Sequence, residues 1–299
     1  MLRITRRNFT VLAAAALLTR HASGQGSAAS SPITRAIPST GERIPVVGLG
    51  TASVFDSDDE RTRLAAAAVI QALVGAGGRV IDTASSYGDA EVVVGDAVAA
   101  AGLRDKVFVA TKLEVPDAAE LKRSLARLKV AKVDLLQLHN VRDARQSLAQ
   151  FMAWKGQGLC RYIGITSTFH GDFAAIEGVL GREKPDFVQI DYSLDDREAE
   201  KRILPLAAEV KAGVLTALPF GRGRLFRAVS GKEIPDWAKE FADSWAQFFL
   251  KYLLADERVT AVIPGTSSAA HMADNLGAMR GRLPDPDQRK RMVDFIGNL

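Results

Sequence analysis

Eight short apolar runs, each followed by a stretch with helical pattern, organise the chain from residue 43 onward. The runs are IPVVGLG (44–50), RVID (79–82), KVFVATK (106–112), VDLLQLH (133–139), RYIGIT (161–166), DFVQID (186–191), GVLTAL (213–218) and VTAVIP (259–264). They are rich in Val, Ile and Leu and lack the polar alternation of a half-exposed strand. That is the composition of strands buried on both faces of a parallel sheet. Between them, RTRLAAAAVIQALVGAGG (61–78) reads as a helix ending on glycines suited to a C-cap. DAAELKRSLARLKV (117–130) reads as another, with Asp117 as N-cap, Glu120 at capping-box spacing, and Leu121, Leu125 and Leu128 on one face. Pro205 inside REAEKRILPLAAEVKA predicts a kink or two shorter helices. Eight strand–helix units most simply close into a (β/α)8 TIM barrel, an α/β fold of about 250 residues. The competitor is an open doubly wound sheet, which carries GxGxxG after its first strand. The first run here ends in GLGTAS, without the third glycine. STGERIPV, ahead of the first run, is expected to form a hairpin that caps the barrel floor.

The formal net charge of +4 is concentrated at one end. Residues 1–30 hold Arg3, Arg6, Arg7 and Arg20 and no Asp, Glu or Lys. Taking those four from the 39 basic residues leaves 35, equal to the 35 acidic ones. Net charge therefore gives the body no reason to bind nucleic acid. The first thirty residues have a basic start, an apolar stretch from Phe9 to Leu18 and a small-residue tail, the layout of an export signal. The apolar stretch is about half the roughly 20 residues that span a bilayer, so no membrane anchor is expected. TRRNFTV resembles the twin-arginine export motif at Arg6 and Arg7, departing from it at Val11. The resemblance implies a partner in the twin-arginine translocation machinery and a periplasmic destination. Residues 1–30 are thus read as signal and linker, and 31–299 as the barrel domain. The single cysteine, Cys160, excludes an intramolecular disulfide. No CxxC or HExxH spacing points to a metal.

A barrel of this kind carries its chemistry at the carboxyl ends of its strands. Those ends supply Asp82, Lys112 and His139 from three successive runs, and Tyr87 in the loop after Asp82. Singly, each has a plain structural use as a cap, a solvated cation, a core histidine or a turn. Jointly they form a proton-delivery set. A tyrosine near its ordinary pKa of about 10 is a poor acid at neutral pH. A cationic lysine beside it favours phenolate. An aspartate paired with the lysine makes its burial tolerable, and a histidine can orient a carbonyl oxygen.

VIDTASSYGDAE, VFVATK and DLLQLHN, in that order, resemble the aldo-keto reductases, and the likeness extends from about Ile44 to Asn275. It implies that Asp82, Tyr87, Lys112 and His139 form the catalytic tetrad, with Tyr87 as general acid in NAD(P)H-dependent reduction of a small carbonyl substrate. It implies NADP(H) ahead of NAD(H). The cofactor contacts carried over by motif begin with Thr51 and Asp82. In RYIGITS they are Thr166 and Ser167, the latter a hydroxyl where the family has an asparagine amide. In FVQIDYS they are Gln189, on the carboxamide, and Tyr192, stacked under the nicotinamide. In ALPFGRGRLF, Pro219, Phe220, Gly221 and Gly223 form a pyrophosphate loop whose backbone amides bind phosphate, with Arg222 and Arg224 as nearby cations. In IPGTSSAAHMADNLGA, Gly265, Thr266, His271 and Asn275 hold the adenosine end. Gly265 and His271 replace the usual lysine and arginine, which weakens the grip on a 2′-phosphate.

Two functions remain open on sequence grounds: an exported carbonyl reductase, and an exported NADP-binding redox-sensing or regulatory protein with slow chemistry. Export itself is directly testable. Replacing Arg6 and Arg7 together by Lys is expected to stop delivery to the periplasm, measured by cell fractionation; undiminished delivery would show another route.

Overall fold

Strands apolar on both faces need cover on both faces, and here helices lie outside the sheet and side chains fill its interior. The structure, a computed structural model, describes residues 31–299. The export segment read from residues 1–30 lies outside the described residues. A hairpin comes first, with β1 (Thr34–Ala36) antiparallel to β2 (Arg43–Pro45). The barrel strands are β3 (Leu49–Gly50), β4 (Val80–Asp82), β5 (Phe108–Leu113), β6 (Val133–Leu138), β7 (Cys160–Ser167), β8 (Phe187–Asp191), β9 (Gly213–Ala217) and β10 (Ala261–Val262). They pair in parallel in sequence order. Bridges from Val47 to Val262 and from Gly50 to Gly265 join the last strand to the first. The Gly48 N–H donates to Val262 O at 2.8 Å and the Gly50 N–H to Pro264 O at 3.0 Å. The helices are α1 (Glu60–Gly75), α2 (Ala90–Ala100), α3 (Ala118–Arg127), α4 (Ala149–Gly156), α5 (Phe173–Glu183), α6 (Ile203–Val210), α7 (Arg224–Ala228), α8 (Trp245–Leu254), α9 (Ala269–Gly277) and α10 (Pro286–Gly297). This is the (β/α)8 barrel that the alternation predicts.

Two apolar cores follow from the period-2 alternation of strand side chains. Outward positions such as Val109, Leu136, Val188 and Ile190 join the layer between strands and helices. Inward positions such as Phe108, Leu135, Tyr162, Phe187 and Leu215 fill the barrel floor together with Ile37 and Ile44 of the hairpin. Phe108 and Tyr162 stack at 5.9 Å, and Tyr162 meets Phe187 edge-on at 5.7 Å. The Tyr162 hydroxyl lies 2.9 Å from Thr40 Oγ1 and donates to Glu42 Oε2 at 2.6 Å, tying the hairpin turn into the floor. The expected cap is therefore in place.

Local signals came out unevenly. Asp117 caps α3, but its carboxylate accepts from the Ala119 N–H at 2.8 Å. Glu120 turns away to Arg123 and Arg127, so no capping box forms there. The box occurs instead at α10, between Asp285 and Gln288, with Pro286 opening the helix. Pro205 sits in the first turn of α6, where its missing N–H costs nothing, and the preceding segment is a separate short 3-10 turn at 198–200. Cys160 is buried, and burial pushes its thiol up to about 12, as a core residue requires. Among the described residues, no helix is long and apolar enough to cross a membrane.

The α2–α3 contact depends on a missing side chain. A Cβ on Gly95 would run into the Arg127 carbonyl oxygen and lie 2.8 Å from the Leu128 backbone. Gly95→Ala is expected to cost about 1–3 kcal/mol through overpacking. Thermal unfolding checks it; an unchanged midpoint would show that the helices part freely.

Candidate active site

Strand parity aims Asp82, Lys112 and Gln137 into the barrel near its carboxyl end. Asp82 pairs with Ala110 of β5, and Lys112 with Gln137 of β6, which sets the three side chains at neighbouring depths. Lys112 is 1% exposed, and its Nζ donates to Asp82 Oδ2 at 2.5 Å and to Thr83 O at 2.8 Å. Burial opposes its charge, but Asp82 and Tyr87 outweigh that, so the ammonium holds its proton more firmly than a free lysine. Gln137 Nε2 donates to Asp82 Oδ1 at 3.2 Å and to Gln189 Oε1 at 2.9 Å; Gln189 Nε2 returns to Asp82 Oδ2 at 3.3 Å. Asp82 thus holds a cation and two amides in one buried network.

Tyr87 arrives over this network from the loop after β4. The turn requires Gly88, which has φ +55° and presses so close to the Asp56 carbonyl that no Cβ fits. The Lys112 ammonium lies 4.8 Å from the centre of the Tyr87 ring. His139, just past β6, meets that ring edge-on at 5.6 Å. All four expected catalytic side chains therefore converge at one place. Tyr87, His139 and Asp82 line a cleft of about 570 Å³, together with Thr51, Thr166, Gln189, Pro219, Phe220, Gly223 and Gly265.

The chemistry of this cleft fits a nicotinamide group. Thr51 Oγ1 is fully buried and has no hydrogen-bond partner, a cost that a polar ligand in the cleft would relieve. Gly50 and Gly265 bring bare backbone to the wall, where a Cβ on Gly265 would already crowd Val54 at 3.2 Å.

Four expected contact residues sit otherwise than the motifs imply. Tyr192 is not beneath the cleft. It is fully buried on the helix side of the barrel, and its hydroxyl donates to Glu200 Oε1 at 2.5 Å. It stands three residues from Gln189 and so faces the opposite way. Ser167 likewise follows the inward Thr166 by one residue. Its hydroxyl is spent within the next loop, donating to Asp172 at 2.6 Å and accepting from the Phe169 N–H at 3.2 Å. The amides of Gly221 and Gly223 are also committed, to Leu218 O at 2.9 Å and Phe220 O at 3.0 Å. Arg222 is the basic side chain of that loop that lines the cleft, while Arg224 is tied to Asp195 at 2.8 Å. Thr266, His271 and Asn275 lie beyond the cleft lining, in the turn after β10 and on α9. His271 is exposed, whereas Thr266 and Asn275 are buried.

Sequence reasoning missed Gln137 and Glu114, although parity marks both. Gln137 stands two residues before His139, and Glu114 two residues after Lys112, so each shares its neighbour's face. Glu114 Oε1 lies 2.7 Å from His139 Nδ1. It also accepts from Ser86 Oγ at 3.1 Å and from Asn140 Nδ2 at 3.1 and 3.3 Å. Burial and the Lys112 charge pull the His139 pKa down, partly offset by Glu114. Burial opposes the Glu114 charge, yet Asn140 and His139 hold its pKa below the usual carboxylate value.

These strand-end carboxylate, ammonium, phenol and imidazole groups around one cleft define a barrel oxidoreductase site. Residues 46–293 match the aldo/keto reductase family. An aldo-keto reductase of Mycobacterium avium is 31% identical over 245 residues, covering 78% of this chain and 80% of its own. The methylglyoxal reductase YeaE of Escherichia coli is 28% identical over 252 residues, covering 80% and 87%. The crystal structure of an aldo-keto reductase from Klebsiella pneumoniae in complex with NADPH superposes with a TM-score of 0.74 at 24% identity, covering 89% and 95%. The chain belongs to the aldo/keto reductase family and is an NAD(P)H-dependent oxidoreductase.

A strained charge sits at the rim. Asp191, at the end of β8, faces Asp196 and His170, with side-chain polar atoms of the three within 4.8 Å of one another. Burial and the Asp196 charge raise the Asp191 pKa from 3.8 to about 6. Between those values the folded chain holds a proton that the unfolded chain has released, so stability falls as pH rises through that window. Asp191→Asn is expected to flatten that slope and add about 1 kcal/mol at pH 7, allowing for solvent screening. Thermal unfolding at pH 4 and pH 7 measures it, and an unchanged slope would overturn the assignment.

Proposed function

We propose that this protein reduces a small aldehyde or ketone to the alcohol with NADPH, Tyr87 supplying the proton. The observation that carries this is the buried Lys112 ammonium, held between the Asp82 carboxylate at 2.5 Å and the Tyr87 ring at 4.8 Å. When bound, the nicotinamide supplies a hydride to the carbonyl carbon. As negative charge grows on the carbonyl oxygen, the Tyr87 phenol donates its proton there, and Lys112 stabilises the phenolate left behind. Asp82 keeps Lys112 charged and in place. His139, on the other flank of Tyr87, orients the carbonyl oxygen. Thr51, Thr166 and Gln189 line the part of the cleft where the carboxamide would sit.

NADP(H) is assigned ahead of NAD(H), supported by Arg222 on the cleft wall and by the NADPH complex of the Klebsiella pneumoniae neighbour. The name of the Escherichia coli relative makes 2-oxoaldehydes the first substrates to try. The N-terminal segment supports a periplasmic enzyme exported folded by the twin-arginine route, with cofactor already in the cleft.

Tyr87→Phe removes the donated proton and keeps the ring. It is expected to lower kcat for methylglyoxal by about a hundredfold to ten-thousandfold. NADPH binding, followed by fluorescence, should stay within about twofold, because the ring still packs. Near wild-type kcat would sink the role of Tyr87.

A further inference from the structure

We propose that the carbonyl substrate carries a carboxylate and that Arg142 is the residue that holds it. This names the substrate class of the proposed reduction and rests on that reading. Arg142 follows His139 in the loop after β6 and lines the same cleft as Tyr87. Among the described residues its guanidinium has no hydrogen bond or ion pair, while its backbone N–H donates to Gln146 Oε1 at 3.0 Å. The neighbouring acid, Asp143, is taken by Arg145, whose Nε and Nη2 donate to it at 3.0 and 2.6 Å. Arg182 of α5 braces the far side of the loop, donating to Ala144 O and, at 2.6 Å, to Gln146 O. On the near side Val141 is fully buried, and its N–H donates to Thr166 O at 3.0 Å. The loop is thus fixed on both sides of Arg142 while the cation itself stays uncommitted. A backbone fixed in advance reduces the ordering cost of binding.

Charge along the cleft favours an anion. Asp82 is the carboxylate of the lining, and the Lys112 ammonium is paired with it. Glu114, close by, is engaged by Ser86, Asn140 and His139. The lining guanidinium groups are those of Arg142 and Arg222, and Arg222 is assigned to the cofactor. One guanidinium fits a monoanion, and its planar fork matches the two oxygens of a carboxylate. Phe169 comes from the loop after β7, the strand beside β6, and lines the same cleft at 52% exposure. It offers a flat apolar body a surface to bury against. The match to this pair is an aromatic aldehyde that carries a carboxylate. In its reduction the hydride of NADPH goes to the aldehyde carbon and brings both electrons. The Tyr87 proton goes to the oxygen, and the carboxylate is unchanged.

The test compares the ortho, meta and para carboxybenzaldehydes with their methyl esters, in the full chain with NADPH. The esters keep the ring and the aldehyde and lose the charge. Wild type is expected to reduce at least one acid with kcat/KM about ten- to a hundredfold above that of its ester, the range of a charged hydrogen bond. Added salt should shrink that ratio. In Arg142→Gln the two substrates are expected to come within about threefold of each other. Arg142→Lys keeps the charge without the fork and should fall between. Taking the ratio inside each variant cancels any general loss of activity. Acids no better than their esters in wild type, or a ratio that survives Arg142→Gln, would overturn the inference. If wild type still reduces methylglyoxal in that case, the proposed function stands and Arg142 alone loses its role. A wild type that reduces no carbonyl overturns the proposed function instead. Calorimetry of the carboxybenzaldehydes on the NADP⁺-bound chain then decides Arg142 without turnover. Binding about tenfold weaker in Arg142→Gln supports the role, and absent or unchanged binding overturns it.

Discussion

The buried ion pair between Lys112 and Asp82 is the constraint around which the rest of the site is arranged. An ammonium at 1% exposure is tolerable only with a counter-charge and filled hydrogen-bond positions. Asp82 supplies the charge, Thr83 a carbonyl, and Gln137 and Gln189 complete the carboxylate's bonds. These groups come from β4, β5, β6 and β8. A slip of one residue in any of those strands would turn its side chain outward and strand a charge or an amide. The parallel register of these strands therefore sets the geometry around one cation. That cation in turn sets the environment of Tyr87.

The same rim uses two carboxylates in contrasting ways. Asp82 is sealed from solvent and paired with the buried Lys112 ammonium. Glu114 is about half exposed and stands 2.7 Å from His139 Nδ1. The difference follows from depth. Below the rim, an ionised group must remain paired at every pH at which the protein is folded. At the rim, water screens the cost and lets a proton come and go.

Two misplaced contacts and two omissions share one cause, the alternation of strand side chains. Tyr192 and Ser167 were assigned to the cleft by motif, yet each lies an odd number of residues from an inward neighbour, Gln189 and Thr166. The structure places both side chains away from the cleft. Gln137 and Glu114 were overlooked, yet each lies two residues from an inward one. Period-2 alternation was visible in the string of residues and would have corrected all four. The committed amides of Gly221 and Gly223 are different. No sequence pattern tells whether a glycine-rich loop leaves its N–H groups free or spends them on its own turns.

By itself the sequence determined the barrel, because eight doubly apolar strands separated by helices leave few other ways to bury them. It also determined that Asp82, Tyr87, Lys112 and His139 share one end of that barrel, because strand ends in a parallel barrel all face the same way. Only the tertiary structure decided which groups touch. The 2.5 Å bond from Lys112 to Asp82, the Glu114 carboxylate against His139, and the phenol set over both arise from the register between strands and from loops that cross between them. Those distances depend on residues far apart in the chain, such as Gln189 on Asp82 across 107 positions. Local propensity carries no information about them.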